Sequence, residues 1–223
     1  MSDHLQHELK KEFQLERLIL FSDAVFAIAI TLLALEIKVP DIDRHVATDA
    51  MLRHSLSELI PKFIGFFFSF FIIGLYWTIH HRMFGYVVNY TSRLLRLNLI
   101  FLLAVVLMPF STAFYSEYVL RLLQTPVIVY AANIAFLGYT NFFLWRYVSN
   151  PAYHLVEGVT KQQRFYVSFR AFIVPSIFIF MALVYLFIAP LVAVWIPPLV
   201  PLIMRFIKRY FDKKELAARK AAG

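Results

Sequence analysis

The sequence predicts an all-α integral membrane protein with six transmembrane helices and both termini cytoplasmic, and three observations carry that prediction. Apolar residues make up 61% of the 223, 24 of them Phe, while 16% are charged and the mean hydropathy is +0.68. A water-soluble domain is about half apolar and about a quarter charged. The apolar residues gather into stretches of about 20, the length at which a helix crosses a hydrocarbon core of about 30 Å. Lys and Arg fall between those stretches with a strong bias to one side, as cytoplasmic loops do. With no Cys there is neither a disulfide framework nor a thiolate metal site. The formal net charge of +8 would point to nucleic acid in a soluble chain; here it records orientation, and no nucleic-acid partner is expected.

The elements follow in order. Residues 1–16 are polar and mixed in sign (Asp3, Glu8, Lys10, Lys11, Glu12), too acidic for a signal n-region, and no small-x-small cleavage site follows. They are expected to form a cytoplasmic segment, and the first apolar helix to stay in the mature chain. Six spans are predicted over residues 17–211, at about 18–37, 60–79, 95–115, 127–147, 165–188 and 191–211. The last two are separated because Arg170 and Arg205 bracket 34 uncharged residues, which as one helix would measure about 50 Å and overshoot a single crossing. A hinge at Ala189-Pro190 divides them, and Pro197, Pro198 and Pro201 should kink the sixth. Residues 212–223 form a basic cytoplasmic tail.

Loop charge supports that count. With both ends inside, 17 basic residues lie on the inner side and five, Lys38, Arg44, Arg53, Lys62 and Arg121, on the outer. Five spans would put the basic tail outside, against the bias. The longest loop, roughly 38–59, mixes Asp41, Asp43, Asp49 and Glu58 with basic residues and reads as a solvated outer connection.

Catalytic signatures are absent: there is no phosphate-binding glycine loop, nucleophile elbow or zinc-protease helix motif, and the chain is expected not to be an enzyme. His4 and His7 sit on the polar N-terminus. His80 and His81 point about 100° apart on a helix and make no two-ligand face. No metal site and no cofactor are expected.

The informative segment is the first span, which carries Ser22 and Asp23 near its cytoplasmic end, Thr31 near the middle and Glu36 near the outer end. An ionisable group in a span costs about 2.5–3.5 kcal/mol at the centre, so it faces protein or water and has a partner. Ser22 and Asp23 read either as buried polar glue between helices or as groups that hold a pore-lining helix in register. Ile28, Leu32 and Leu35 are spaced i, i+4, i+7 with Thr31 beside them, forming one stripe of the helix. Any apolar span yields such a stripe, so by itself it reads as lipid-facing or core. No T-V-G-Y-G loop is present, and Arg93 with Arg96 is too short a series for a voltage sensor.

Arg17-x-x-x-Phe21-Ser22-Asp23 resembles the R-x-x-x-F-S-D signature of the TMEM175 family of potassium channels, and Phe26-Ala-Ile-Ala-Ile-Thr-Leu-Leu resembles its first helix. The likeness continues in Trp77-Thr-Ile-His80-His81 and in Asn98 with Pro109. It covers the first half of the chain, and a single six-span unit is similar to the prokaryotic form. The resemblance implies a potassium-selective cation channel in a prokaryotic plasma membrane, a homotetramer with the first helix lining the pore and K+ as the permeant ion. It implies a constriction at Ile28, Leu32 and Leu35, a selectivity layer at Thr31, and a network of Arg17, Phe21, Ser22 and Asp23 with Trp77 and His80 of the second span. A secondary transporter or a non-conducting membrane scaffold is the alternative.

Overall fold

The computed structural model describes residues 2–43, 45–193, 196, 199–200, 202–209 and 211, with the side chains of 2–9 excepted. Pro197, Pro198, Pro201, the basic tail from 212 and the side chains of His4 and His7 therefore lie outside the described residues. The described chain is helical, its one extended contact being an antiparallel bridge between Val87 and Val156.

The first helix, α1 (Ser2–Leu35), runs through the polar segment into the first span without a break. Its 34 residues span about 50 Å, so the apolar part, Lys10–Leu35, suffices for the crossing. The 38–59 connection holds a short helix, α2 (Asp49–Glu58), capped by Thr48, whose side chain accepts from the Met51 amide. It buries no residue, as its charged sequence requires.

The second span is α3 (Ile60–Phe84), started by Pro61 in its first turn, where a missing amide donor costs nothing. The third is divided into α4 (Ser92–Val106) and α5 (Met108–Tyr118). Pro109 has no N–H to return to Val105, and the helix breaks at Leu107 for that reason. The fourth span is α6 (Gln124–Val148) and the fifth α7 (Lys161–Phe187).

Five helical segments are thus long and apolar enough to cross a bilayer among the described residues. Within the stretch expected as the sixth span, the described residues hold a single turn, α8 (Pro190–Ala193), and helical backbone at 202–209, while 194–195, 197–198, 201 and 210 lie outside the described residues.

Packing follows sequence order around α6. α1 lies against α3, α4 and α5, and α6 against α4, α5 and α7. Leu94, Phe101, Val105, Met108, Leu137, Leu144 and Val148 form the inaccessible centre. Gly138 permits a close approach of α6 to α7: a Cβ there would stand 2.6 Å from Pro175 Cβ of α7 and 2.9 Å from the Tyr76 hydroxyl.

Large apolar side chains remain on the exterior, among them Phe63, Phe67, Phe71, Leu75 and Phe180. In water such a surface would aggregate; in hydrocarbon it is the ordinary outer face of a bundle.

Candidate functional site

The two sides of α1 face different surroundings. Leu18, Ser22, Phe26, Ala29 and Leu33 are at most 4% exposed and form the stripe packed on α3, α4 and α5. At 100° per residue, the stripe of Ile28, Thr31, Leu32 and Leu35 is centred roughly 130° away. Its members are uncovered: Ile28 is 58%, Leu32 39% and Leu35 71% exposed. The described helices therefore leave this side of α1 open over about two turns. Arg17, Phe21 and Ala24 are also exposed and continue the same side toward the N-terminus.

Thr31 on that face donates from Oγ1 to the Ile28 carbonyl at 2.8 Å. This internal bond satisfies its hydrogen and leaves the oxygen lone pairs directed away from the helix, where they can accept or coordinate.

The signature residues separate into two junctions. Trp77 Nε1 on α3 donates to Asp23 Oδ1 at 2.9 Å, a charge-assisted bond between the second span and the first. On the packed side, Ser22 Oγ donates to the Leu18 carbonyl at 2.7 Å and receives Asn98 Nδ2 at 2.8 Å. Asn98 Oδ1 in turn lies 2.8 Å from His80 Nε2. An amide oxygen can only accept, so His80 carries its proton on Nε2. Ser22, Asn98 and His80 are all within 1% of complete burial.

His80 is fixed from its sides as well. Its ring stacks on Phe101 at 5.5 Å and 5° between planes, and Phe84 lies 4.3 Å away. Phe26 of α1 touches both His80 and Phe101. The result is an aromatic and hydrogen-bonded joint of α1, α3 and α4, with the uncovered stripe on the far side of α1.

Arg17 and Phe21 take no part in either junction. Arg17 Cζ lies 5.7 Å from the Phe13 ring centroid, one turn earlier on the same helix, and Phe21 is 51% exposed. Asn98 is the member that residue roles assigned from the first two spans miss, although an amide inside an apolar span was the visible signal.

Glu36, at the other end of α1, borders a small cavity of about 120 Å³ with Lys38, Lys62, Thr112 and Ser116. Lys62 is paired there with Glu117 at 2.7 Å. No cluster of three metal-ligating side chains occurs among the described residues.

Residues 17–109 match the family described as endosomal/lysosomal potassium channel TMEM175. A protein of Streptomyces collinus named as a potassium channel is 44% identical over 98 residues, covering 44% of this chain and 46% of that one. One of Chamaesiphon minutus, also named as a potassium channel, is 34% identical over 167 residues, covering 71% of this chain and 81% of its own. The crystal structure of a lysosomal potassium-selective channel TMEM175 homolog from Chamaesiphon minutus superposes with a TM-score of 0.70 at 26% identity, over 89% of this chain and 98% of that one. Both the 167-residue match and the structural likeness run past residue 109, so the resemblance to the family extends beyond the first half of the chain, where the signature residues lie.

Proposed function

The chain belongs to the TMEM175 family, and from that premise we propose that it is a potassium-selective cation channel whose pore is lined by α1 of each subunit in a homotetramer. The family is one of ion channels and not of enzymes, and the chain is a multi-pass membrane protein. In this reading residues 17–211 form the channel domain, with six spans and both termini cytoplasmic in a prokaryotic plasma membrane.

The observation that carries the proposal is the uncovered side of α1. A helix held on one side by three neighbours, with an apolar stripe and one hydroxyl facing outward, needs a further surface. Lipid can supply it, but lipid does not call for Thr31 in the stripe or for a polar joint locking the rotation of the helix. A second copy of the same stripe satisfies both. One chain provides one wall; closed rotational symmetry provides the others.

The mechanism then follows from side-chain chemistry. Rings of Ile28, Leu32 and Leu35 make a narrow apolar passage that conducts when wetted and closes by dewetting. A ring of Thr31 oxygens replaces part of the hydration shell of an ion there, and the match between ring and ion sets the preference. The Trp77–Asp23 and Asn98–Ser22 bonds fix the rotation of α1, so that these residues and not their neighbours face the axis.

The proposal is tested by the reversal potential of the purified protein in planar bilayers under a potassium–sodium gradient. Single-channel steps reversing near the potassium equilibrium potential are expected. Saturable flux without steps would indicate a carrier, and no flux a scaffold.

A further inference from the structure

An open pocket of about 580 Å³ lies where the end of α6 meets the start of α7, away from α1, and nothing in the channel reading uses it. Three cations line it, Arg146, Lys161 and Arg164, and its apolar wall includes Phe165, Phe169 and Phe172. No carboxylate borders it among the described residues. The ion pairs of the described residues, Lys62–Glu117 and His54–Glu58, are elsewhere.

Among the described residues, the placement of the cations leaves positive charge uncompensated. Lys161 and Arg164 stand in the first turn of α7, which holds no acidic residue. That turn is well formed: Thr160 accepts from the Gln163 amide, and Gln163 Oε1 accepts from the Thr160 amide, each at 3.1 Å. A helix start carries positive partial charge and disfavours cations unless an anion is near. Arg146 adds a third charge from the last turn of α6, lying 6.0 Å over Phe142. Arg164 Nε is buried and has no hydrogen-bond partner among the described residues. Its own carbonyl, however, receives Trp145 Nε1 at 3.3 Å, so the turn is pinned to α6 and cannot swing away.

The neighbouring wall tells what kind of anion fits. Phe165 is 62%, Phe169 37% and Phe172 48% exposed along α7, and Phe211 packs against the first two. Cations at the end of a membrane helix, continuous with an aromatic face running toward the hydrocarbon, suit an amphiphile. We propose that this pocket binds the phosphate headgroup of an anionic phospholipid, with an acyl chain along Phe165, Phe169 and Phe172. The proposal rests on the chain spanning a membrane and not on its conducting ions.

Native mass spectrometry of the full chain in detergent tests it, with phosphatidylglycerol titrated against phosphatidylcholine. Lys161→Gln combined with Arg146→Gln removes two exposed charges and leaves Arg164 in its packed turn. Each basic group near an anionic surface strengthens attachment about fivefold, so the pair should weaken phosphatidylglycerol binding about thirtyfold. Phosphatidylcholine should bind weakly to both proteins, and millimolar inorganic phosphate should leave the bound lipid in place. Arg82→Gln with Arg96→Gln removes the same charge outside the pocket and should change nothing. Equal affinity of the wild type and the Lys161/Arg146 variant, displacement by free phosphate, or an equal loss in the Arg82/Arg96 control would each overturn the proposal. Lipid retention is read without current, so failure of the channel reading leaves this result separately interpretable.

Discussion

Asn98 of α4 donates through Nδ2 to Ser22 Oγ of α1 at 2.8 Å, and that bond makes one amide the link between the first helix and His80 of α3. Hydrogen bonds between membrane helices average about 0.6 kcal/mol. The cost of breaking this one is larger, because no water reaches the groups left behind.

Asn98→Leu strands the His80 Nε2–H, and each buried polar group so stranded costs about 1–3 kcal/mol. A loss of about 2 kcal/mol corresponds to a fall in unfolding midpoint of about 4–8 °C for a chain of this size. Thermal unfolding followed by size-exclusion in detergent measures it, and an unchanged midpoint would remove the joint from the forces holding α1.

Trp77 and Asp23 make the second tie, at 2.9 Å, half in view of solvent or lipid. Asp23→Ala and Trp77→Phe each delete one end, and both should lower the yield of assembled oligomer before altering ion preference. A normal yield with a changed reversal potential would assign Asp23 to conduction instead.

The helices were legible because lipid imposes a length and a composition on every crossing. The starts of α3 and α7 lie near their expected residues. The beginning of α1 did not follow that logic: polar residues of high helix propensity extend it to Ser2, and hydropathy is blind to them. The break at Leu107 was written in Pro109, yet a proline in a membrane helix kinks or interrupts it according to its neighbours. Around the candidate site, the resemblance to the family singled out Ile28, Thr31, Leu32 and Leu35, and spacing showed only that they share one face. That it is the uncovered side of α1 depends on where Phe26, Ala29 and Leu33 pack, which spacing does not contain. Spacing alone puts Arg17 and Phe21 on a different side of the helix from Ser22, but which side the other helices cover comes only from the packing.

Thr31 donates its hydrogen to its own helix and offers only oxygen to the exterior. Thr31→Ala should preserve assembly and shift the reversal potential toward that of a non-selective cation pore, while Thr31→Ser retains the wild-type value. An unaltered reversal potential for Thr31→Ala would refute the hydroxyl layer.

Gly138 separates stability from conduction, being far in sequence from the stripe. A methyl group there meets Pro175 and the Tyr76 hydroxyl inside normal contact distance, and overpacking of this kind costs about 1–3 kcal/mol. Gly138→Ala should lower the unfolding midpoint with the reversal potential unmoved; an unchanged midpoint would mean that α6 and α7 separate freely.

Ile28 offers the most direct trial, since it is 58% exposed on the side of α1 that no described helix of its own chain covers. The measurement is the single-channel current and reversal potential of Ile28→Asn beside the wild type, in planar bilayers under a potassium–sodium gradient. A polar ring at the narrowest point should wet it, raising conductance and moving the reversal potential away from that of potassium. Conductance and reversal potential identical to the wild type would place Ile28, and with it the uncovered face of α1, against lipid and outside the pore.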